Sequence, residues 1–274
     1  MGRALLGLRD TLAIMREPFT RRLTHLNRYV RDVATDFALF VSGKRDPELP
    51  PHRYRQIGPG DFRERGKWLA SMLVRNGLEA DHRVLDIGCG IGRVALGLTS
   101  VLSREGSYDG FDVDARAVRW CNDNLSPRYP NLRFTHANVA TARHNRGGVP
   151  AAQYRFPFDD ASFDFAFATS VFTHLEMDAA LHYFREAHRV LRPGGILVAT
   201  VFLFDETPSK LEFPVDRGDH RLTSSGSGVA FADGSVGMLL PADCWSDVRI
   251  QRGSWKSGGT FSVLTQDVIN ARRR

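Results

Sequence analysis

The stretch that most constrains the fold of this chain is residues 84–93, which read VLDIGCGIGR. Its first residues are branched or apolar, as in a buried strand, and the residues after it fall at helical spacing. Between them three glycines alternate, at Gly88, Gly90 and Gly92. Glycine allows positive φ and lets a ligand lie against bare peptide, and a helix N-terminus presents unpaired N–H groups. The stretch therefore predicts a strand, a loop and a helix that together bind a nucleotide-type ligand.

A second candidate ligand residue, Asp112, follows the next predicted strand. It lies 24 residues after Gly88. That spacing is close to the roughly 20 residues that separate a glycine loop from its ribose-binding carboxylate. A carboxylate accepts hydrogen bonds from both ribose hydroxyls at once. Asp114 is the competing residue, but its place just before a helical pattern predicts a helix N-cap.

Strands and helices alternate over residues 83–203, which predicts a doubly wound, mostly parallel sheet with helices on both faces. The sequence RPGG at 192–195 is typical of a helix end. Two strands in the tail bring the predicted sheet to seven, and residues 218–237, polar and rich in glycine, are predicted to be irregular. The predicted strands after the first are Ser107–Phe111, Leu132–Thr135, Ser162–Ala168, Ile196–Leu203, Val248–Gln251 and Phe261–Asn270.

Residues 1–60 are predicted to form an amphipathic helical extension and linker, ahead of a main domain at 61–274. Apolar residues at helical spacing predict one helix over 3–16 and a second over 19–40, with arginines beside its polar face. Such a helix could lie on a membrane surface, bind a partner, pack on its own domain or cover an active site as a lid. Residues 42–61 are rich in proline, glycine and charge, which predicts a linker.

The net charge of +6 is concentrated in the N-terminal part of the chain. Residues 1–75 hold 15 Lys/Arg against 8 Asp/Glu, so the rest is nearly neutral. Nucleic acid, an anionic membrane surface or an acidic substrate would each explain the excess, and so would a solvated helix face. The three cysteines form no disulfide or metal pattern, and no signal peptide or apolar run of roughly 18 to 20 residues is recognisable. The sequence therefore predicts a cytoplasmic protein, with peripheral membrane contact left open.

Four blocks together resemble the class I S-adenosylmethionine-dependent methyltransferases. They are VLDIGCGIGR at 84–93, GFDVD at 110–114, FPFDDASFDFAF at 156–167 and RVLRPGGILVAT at 189–200. The resemblance covers about residues 65–205. It implies a Rossmann-like sheet and S-adenosyl-L-methionine as the cofactor.

The resemblance also implies which residues contact the cofactor. Asp86 and the backbone of the three glycines would hold its methionine end. Asp112 would bind the ribose hydroxyls, and Val113 would pack on the adenine ring. Asn138 and Val139 would approach the adenine edge. Many members of the family carry an aspartate where this chain has Asn138, and an amide oxygen could accept a hydrogen bond from the same adenine amino group.

Methyl transfer to a hydroxyl requires that the nucleophile be aligned, water excluded and a proton removed. His174 is the candidate base, because it follows the fourth strand, whose carboxyl end lines the site in such sheets, and because histidine titrates near neutral pH. The alternative is that His174 orients the next helix. Asp205 and Glu206, after the fifth strand, are competing bases, ligands for a polyhydroxylated acceptor, or solvated loop acids. No metal is predicted, since the histidines show no ligand spacing.

These features favour O-methylation of a small-molecule, glycan or glycolipid acceptor. No NPPY-like tetrapeptide follows the fourth strand, which continues as ATSVFT, and Phe172, Phe202 and Phe204 are expected near the pocket mouth, against an apolar or sugar-ring acceptor. RNA methylation is the alternative that the basic N-terminal segment suggests. The GxGxG spacing and the lack of a Tyr-x-x-x-Lys pair disfavour an NAD(P)-dependent oxidoreductase. The intact glycines and Asp112 disfavour a non-catalytic binding module. The sequence makes no prediction of oligomeric state.

Overall fold

The computed structural model describes residue 27 and residues 29–54, 61–140, 147–204, 230–232, 240–251 and 267–274. The side chains of residues 173, 202–204 and 230–232 lie outside this description. The chain divides into two compact units, with the boundary between Ile57 and Gly58. The helix predicted over residues 3–16 lies outside the described residues.

In the N-terminal unit, helix α1 spans residues 29–41, which overlaps the second half of the second predicted helix and ends one residue beyond it. The described part of the segment after it, up to residue 54, is not the plain linker that its composition predicts. The carboxylate of Asp36 accepts hydrogen bonds from the backbone N–H of His52 (2.6 Å), from the His52 ring (3.1 Å) and from the Arg53 guanidinium (3.2 Å). These bonds tie a short 3-10 helix, His52–Tyr54, back to α1.

The larger unit alternates strands and helices. The strands are β1 (Arg83–Ile87), β2 (Ser107–Asp112), β3 (Leu132–His136), β4 (Phe163–Ala168), β5 (Leu191–Phe204), β6 (Ala230–Ala232), β7 (Trp245–Gln251) and β8 (Asp267–Arg273). The helices are α2 (Phe62–Arg75), α3 (Arg93–Leu98), α4 (Ala115–Asn124) and α5 (Met177–Val190).

In the described part of the chain, seven of these strands form one sheet in the order β3-β2-β1-β4-β5-β8-β7, and the short β6 pairs with β5. Strands β1 to β5 run parallel, whereas β8 runs antiparallel to both of its neighbours, β5 and β7. The predicted α/β class, with a mostly parallel, Rossmann-like seven-stranded sheet, is confirmed.

Several boundaries differ from those predicted. Helix α5 ends at Val190 and β5 begins at the next residue, so 192–195 lies within the bounds of the strand rather than ahead of it. The register with β4 shifts across this segment, so the predicted turn is an irregularity in the strand. The strand predicted at Val248–Gln251 begins earlier, at Trp245. Part of the stretch predicted to be irregular, Ala230–Ala232, forms β6.

The core of the larger unit is rich in aromatic side chains. Phe156, Phe163, Phe172 and Phe184 are all buried and belong to one apolar cluster that spans the sheet and α5. The carboxyl ends of the parallel strands meet at one edge of this sheet, which is where ligands bind in such an architecture. No helix in the described part of the chain is both long and apolar enough to span a membrane.

Candidate active site

The loop after β1 is shaped by its glycines. Gly88, Gly90 and Gly92 have φ values of 80°, 53° and 74°, in the left-handed region that favours glycine. A Cβ at Gly88 would lie 2.4 Å from a methyl carbon of Val171, and a Cβ at Gly92 would lie 2.7 Å from a methyl carbon of Leu125. A side chain at either position therefore meets both backbone strain and a steric clash. The loop leads directly into α3, and its glycines leave the backbone of the loop uncovered by side chains.

Asp86 lies near the carboxyl end of β1 and is almost wholly buried. Its Oδ2 atom accepts a hydrogen bond of 2.7 Å from the Tyr108 hydroxyl, while Oδ1 has no partner among the described residues. Burial raises the pKa of Asp86 to about 8 against the lowering effect of the Tyr108 bond, and the negative charge of Asp112 adds to the rise. A buried carboxyl oxygen of this kind suits a cationic ligand group, whose charge would favour the carboxylate.

Asp112 ends β2 and is tied to the glycine loop. Its Oδ2 atom accepts a hydrogen bond of 2.7 Å from the Gly90 N–H, and its Oδ1 atom accepts one of 2.8 Å from the Asp114 N–H. Asp114 in turn caps α4, since its carboxylate accepts bonds from the first N–H groups of that helix. The predicted role of Asp114 as a helix N-cap is therefore confirmed, and the predicted role of Asp112 as the ribose ligand stays a prediction. The bond between Asp112 and the loop was not foreseen, because it depends on how β1 and β2 pair.

The residues expected at the adenine sit around the ends of β2 and β3. Val113 is half-buried and packs against the core cluster. Val139 is buried and forms a β-bridge with Val149. The side chain of Asn138 is exposed, and its backbone carbonyl accepts a hydrogen bond of 2.8 Å from the Val149 N–H. The adenine roles of all three residues stay predictions.

The predicted base, His174, lies three residues after Val171, whose side chain lies against Gly88 of the loop. His174 is exposed and ends a 3-10 helix, Phe172–His174, and its backbone N–H donates to the carbonyl of Val171, the residue that covers Gly88. The sequence predicted that Phe172 would lie near the pocket mouth, and this prediction is wrong. Phe172 is fully buried and stacks on Phe184, with 4.4 Å between ring centroids.

The remaining candidate residues lie in or just after β5. Asp205 and Glu206, and the side chains of Phe202 and Phe204, lie outside the described residues.

Comparisons with known proteins agree with this geometry. The sequence model of a family described as a methyltransferase domain matches residues 84–195. A 27-O-demethylrifamycin SV methyltransferase of Amycolatopsis mediterranei is 32% identical over 151 residues, which are 54% of this chain and 48% of that protein. A demethylmenaquinone methyltransferase of Geobacillus kaustophilus is 26% identical over 152 residues, 55% of this chain and 58% of that protein. The chain thus spans about half the length of these curated relatives.

Solved structures show the same fold. An S-adenosylmethionine-dependent methyltransferase of Methanosarcina mazei superposes with a TM-score of 0.51 at 19% identity, over 74% of this chain and 96% of that one. Residues 84–195 thus match a methyltransferase domain, and the larger unit has the Rossmann-like fold of S-adenosylmethionine-dependent methyltransferases.

The residues of this site fit S-adenosyl-L-methionine, the cofactor that the resemblance implies. The methionine end of the cofactor carries an ammonium and a sulfonium, and Asp86 offers a buried carboxyl oxygen without a partner among the described residues. The left-handed glycines leave bare backbone next to it. Asp112 would hold the ribose hydroxyls from the end of β2. When bound, the cofactor supplies an electrophilic methyl group carried on the sulfonium.

One cluster of potential metal ligands lies elsewhere in the described chain. Glu79, Asp81 and His82 offer ligand atoms within 4.8 Å of one another. They precede β1, at the opposite end of the strand from the glycine loop. The Nδ1 atom of His82 accepts the backbone N–H of Glu79 at 3.2 Å, which leaves the ring only Nε2 to face a cation. This cluster has no part in methyl transfer by the geometry above, and the expectation that catalysis needs no metal stays a prediction.

Proposed function

We propose that this protein is an S-adenosylmethionine-dependent O-methyltransferase that acts on a hydroxyl of a small-molecule, glycan or glycolipid acceptor. The observation that carries the proposal is the position of His174. It lies on the same short segment as Val171, which packs on Gly88 of the cofactor loop. The relative from Amycolatopsis mediterranei, named for a demethylated oxygen of rifamycin, supports an oxygen target.

The residues of the chain have separate tasks in this proposal. The glycine loop and Asp86 would hold the methionine end of the cofactor, and Asp112 would bind its ribose, which together would restrict the orientation of the bound cofactor. The imidazole of His174 would take the proton of the acceptor hydroxyl as that oxygen is methylated; the bound cofactor would supply the methyl group and be left as the neutral thioether S-adenosylhomocysteine. Because His174 is exposed, it can then release that proton to water.

His174→Ala tests the proposal directly. We expect the rate of methyl transfer to fall about 100-fold or more, as for other lost general bases, with unchanged affinity for the cofactor. The assay uses cofactor labelled in the methyl group and cell extracts split into lipid, glycan and RNA fractions. His82→Ala, at the opposite end of β1, is the matched control and should keep full activity.

The outcomes separate the candidate functions. Label on an oxygen of a lipid, glycan or small molecule, lost in the His174 variant, supports the proposal. Label in RNA, or on a carbon or nitrogen atom of a small molecule, would replace the proposed acceptor class. Equal rates for His174→Ala and the unaltered protein would remove His174 as the base.

We also propose that the N-terminal unit binds an anionic membrane surface, where a lipid-linked acceptor would be found. The apolar stripe of α1 supports this, because Val30, Phe37 and Phe40 lie on one helical face and are 57%, 66% and 68% exposed. The charge supports it as well, since residues 1–57 hold 11 Lys/Arg against 6 Asp/Glu. An amphipathic, basic helix is the usual sequence pattern of an interfacial segment.

A further inference from the structure

The turn that leaves β4 contains a strained residue. Ser170, two positions after the end of the strand, has a φ of 60°, in the left-handed region that residues other than glycine rarely adopt. Such a conformation costs free energy and persists only where the surrounding structure enforces it. The turn lies at the carboxyl end of the sheet, next to the glycine loop.

A buried hydroxyl holds this turn from one side. The N–H of Ser170 donates a hydrogen bond of 2.7 Å to the Oγ1 atom of Thr200, which lies in the neighbouring strand β5 and is fully buried. An aromatic stack holds it from the other side, because Phe172 is fully buried against the ring of Phe184. The residue between the two anchors is Val171.

These two anchors place the side chain of Val171 against the cofactor loop. Its Cγ2 atom occupies the place where any side chain at position 88 would begin, only 2.4 Å from an ideal Cβ on Gly88. Interiors are packed densely enough that a shift of this methyl group would either open a gap over Gly88 or collide with it. The position of the wall over the first glycine therefore depends on the Ser170 turn.

We propose that Thr200 is a positioning residue for the cofactor: its hydroxyl oxygen fixes the left-handed Ser170 turn and so places Val171 over Gly88. Thr200 acts through Ser170 and Val171 and does not itself touch the cofactor. The proposal rests on S-adenosylmethionine as the cofactor and is independent of the acceptor and of His174.

The test is calorimetric titration of the whole chain with S-adenosylmethionine and with S-adenosylhomocysteine. Neither binding measurement requires an acceptor substrate. Thr200→Val keeps the shape of the side chain and removes the acceptor oxygen. We expect it to weaken binding of both ligands about tenfold, as the loss of one buried hydrogen bond allows. Thr200→Ser keeps the hydroxyl and should bind within about twofold of the unaltered protein.

Two further variants separate positioning from simple loss of stability. Thr99→Val, the matched control, removes a half-buried hydroxyl that donates to the Leu96 carbonyl at 2.8 Å, and it should leave both affinities unchanged. Adding Ser170→Gly to Thr200→Val should restore much of the lost affinity, because glycine adopts the left-handed conformation without strain. Mere destabilisation of β5 would not be repaired by a glycine in the turn.

Several results would overturn the proposal. They are a folded Thr200→Val variant with unchanged affinities, or a double variant that binds no better than Thr200→Val alone. If Thr200→Val does not fold, Val171→Ala takes its place in the titration. Removal of the methyl groups over Gly88 must weaken cofactor binding if their placement matters. Unchanged affinity of Val171→Ala would refute the proposal. If the unaltered protein binds neither ligand, the cofactor assignment itself is refuted. That outcome differs from failure of the Thr200 proposal alone, in which the unaltered protein binds both ligands.

Discussion

Asp86 is a buried acid whose ionisation should be coupled to cofactor binding. Its pKa is raised from 3.8 to about 8, chiefly by burial, so at neutral pH the carboxyl is mostly protonated before the ligand binds. A cationic ligand favours the carboxylate, and binding at pH 7 must therefore release a proton. Affinity should rise with pH and level off above about pH 8, where the proton is already lost.

Calorimetry at pH 7 in phosphate and in Tris measures this coupling, because a released proton makes the observed enthalpy depend on the buffer. Asp86→Asn should bind the cofactor more weakly and without proton release. Asp109→Asn is the control, since Asp109 forms an ion pair with Arg133 at the surface of β2 and has no such role. Identical enthalpies in both buffers for the unaltered protein would contradict the coupling.

Local geometry was predicted from the sequence where the motif itself carries the information: the three glycines are left-handed, and Asp114 caps α4. The cofactor roles of Asp86 and Asp112 stay predictions. The partners of these residues were not predictable, because the Tyr108 hydroxyl and the Gly90 N–H reach them only through the pairing of β1 with β2. Phe172 was misplaced for the same reason: its burial depends on Phe184 of α5, which the local pattern does not reveal.

Among the elements, α5 joins two of the four blocks on which the resemblance to methyltransferases rests. Arg189, in RVLRPGG, donates hydrogen bonds to the backbone carbonyls of Phe156 and Phe158, in FPFDD. Its neighbour on the helix, Glu186, accepts bonds from the Phe156 N–H (2.7 Å) and from the Arg189 guanidinium. The two blocks are therefore hydrogen-bonded to each other in the fold. Sequence order showed the blocks, and only the fold shows the bonds.

Helices α2 and α3 make a close crossing that an added methyl group should disrupt. A Cβ at Gly97 would lie 2.2 Å from the Gly66 carbonyl oxygen, and a Cβ at Gly66 would lie 2.4 Å from the Arg93 carbonyl oxygen. Both obstacles are backbone atoms, so Gly97→Ala must separate the helices. We expect the free energy of unfolding to fall by about 1–3 kcal/mol, the usual cost of overpacking.

Because α3 begins directly after Gly92, the same change should also weaken cofactor binding. Urea denaturation gives the stability, and calorimetry gives the affinity. Gly194→Ala is the control, because Gly194 has a φ of 82° with no atom within 4 Å of an added Cβ, so it carries strain without a clash. A Gly97→Ala variant as stable as the unaltered protein would show that the crossing tolerates a methyl group.

For the molecule as a whole, the alternation of strands and helices was sufficient to predict the parallel part of the sheet, since parallel neighbours need a crossover between them. The antiparallel edge was not predictable in its arrangement. The last strand, β8, inserts between β5 and β7, and the Asn270 side chain on it donates a hydrogen bond of 2.8 Å to the Asn76 carbonyl, far away in the chain. Local patterns carry no signal for such distant pairing.

The charge and the exposed stripe of the N-terminal unit lead to a prediction for the complete protein. We expect it to cosediment with vesicles of phosphatidylcholine and phosphatidylglycerol and much less with phosphatidylcholine alone, because basic residues are attracted to anionic lipid. Added salt should reduce binding, since it screens exposed charges. The double change Phe37→Ala with Phe40→Ala should lower the bound fraction about tenfold, because two large apolar side chains no longer enter the interface.

Val248→Ala with Ile250→Ala is the matched control for this experiment, because both side chains are also exposed and apolar but lie on β7. That variant should sediment as the unaltered protein does. A Phe37/Phe40 variant that keeps full vesicle binding would mean that the stripe does not enter the lipid. Binding that ignores both salt and the anionic lipid would mean that the positive charge of residues 1–57 serves another partner, and the RNA fraction of the labelling assay is then the place to look for it.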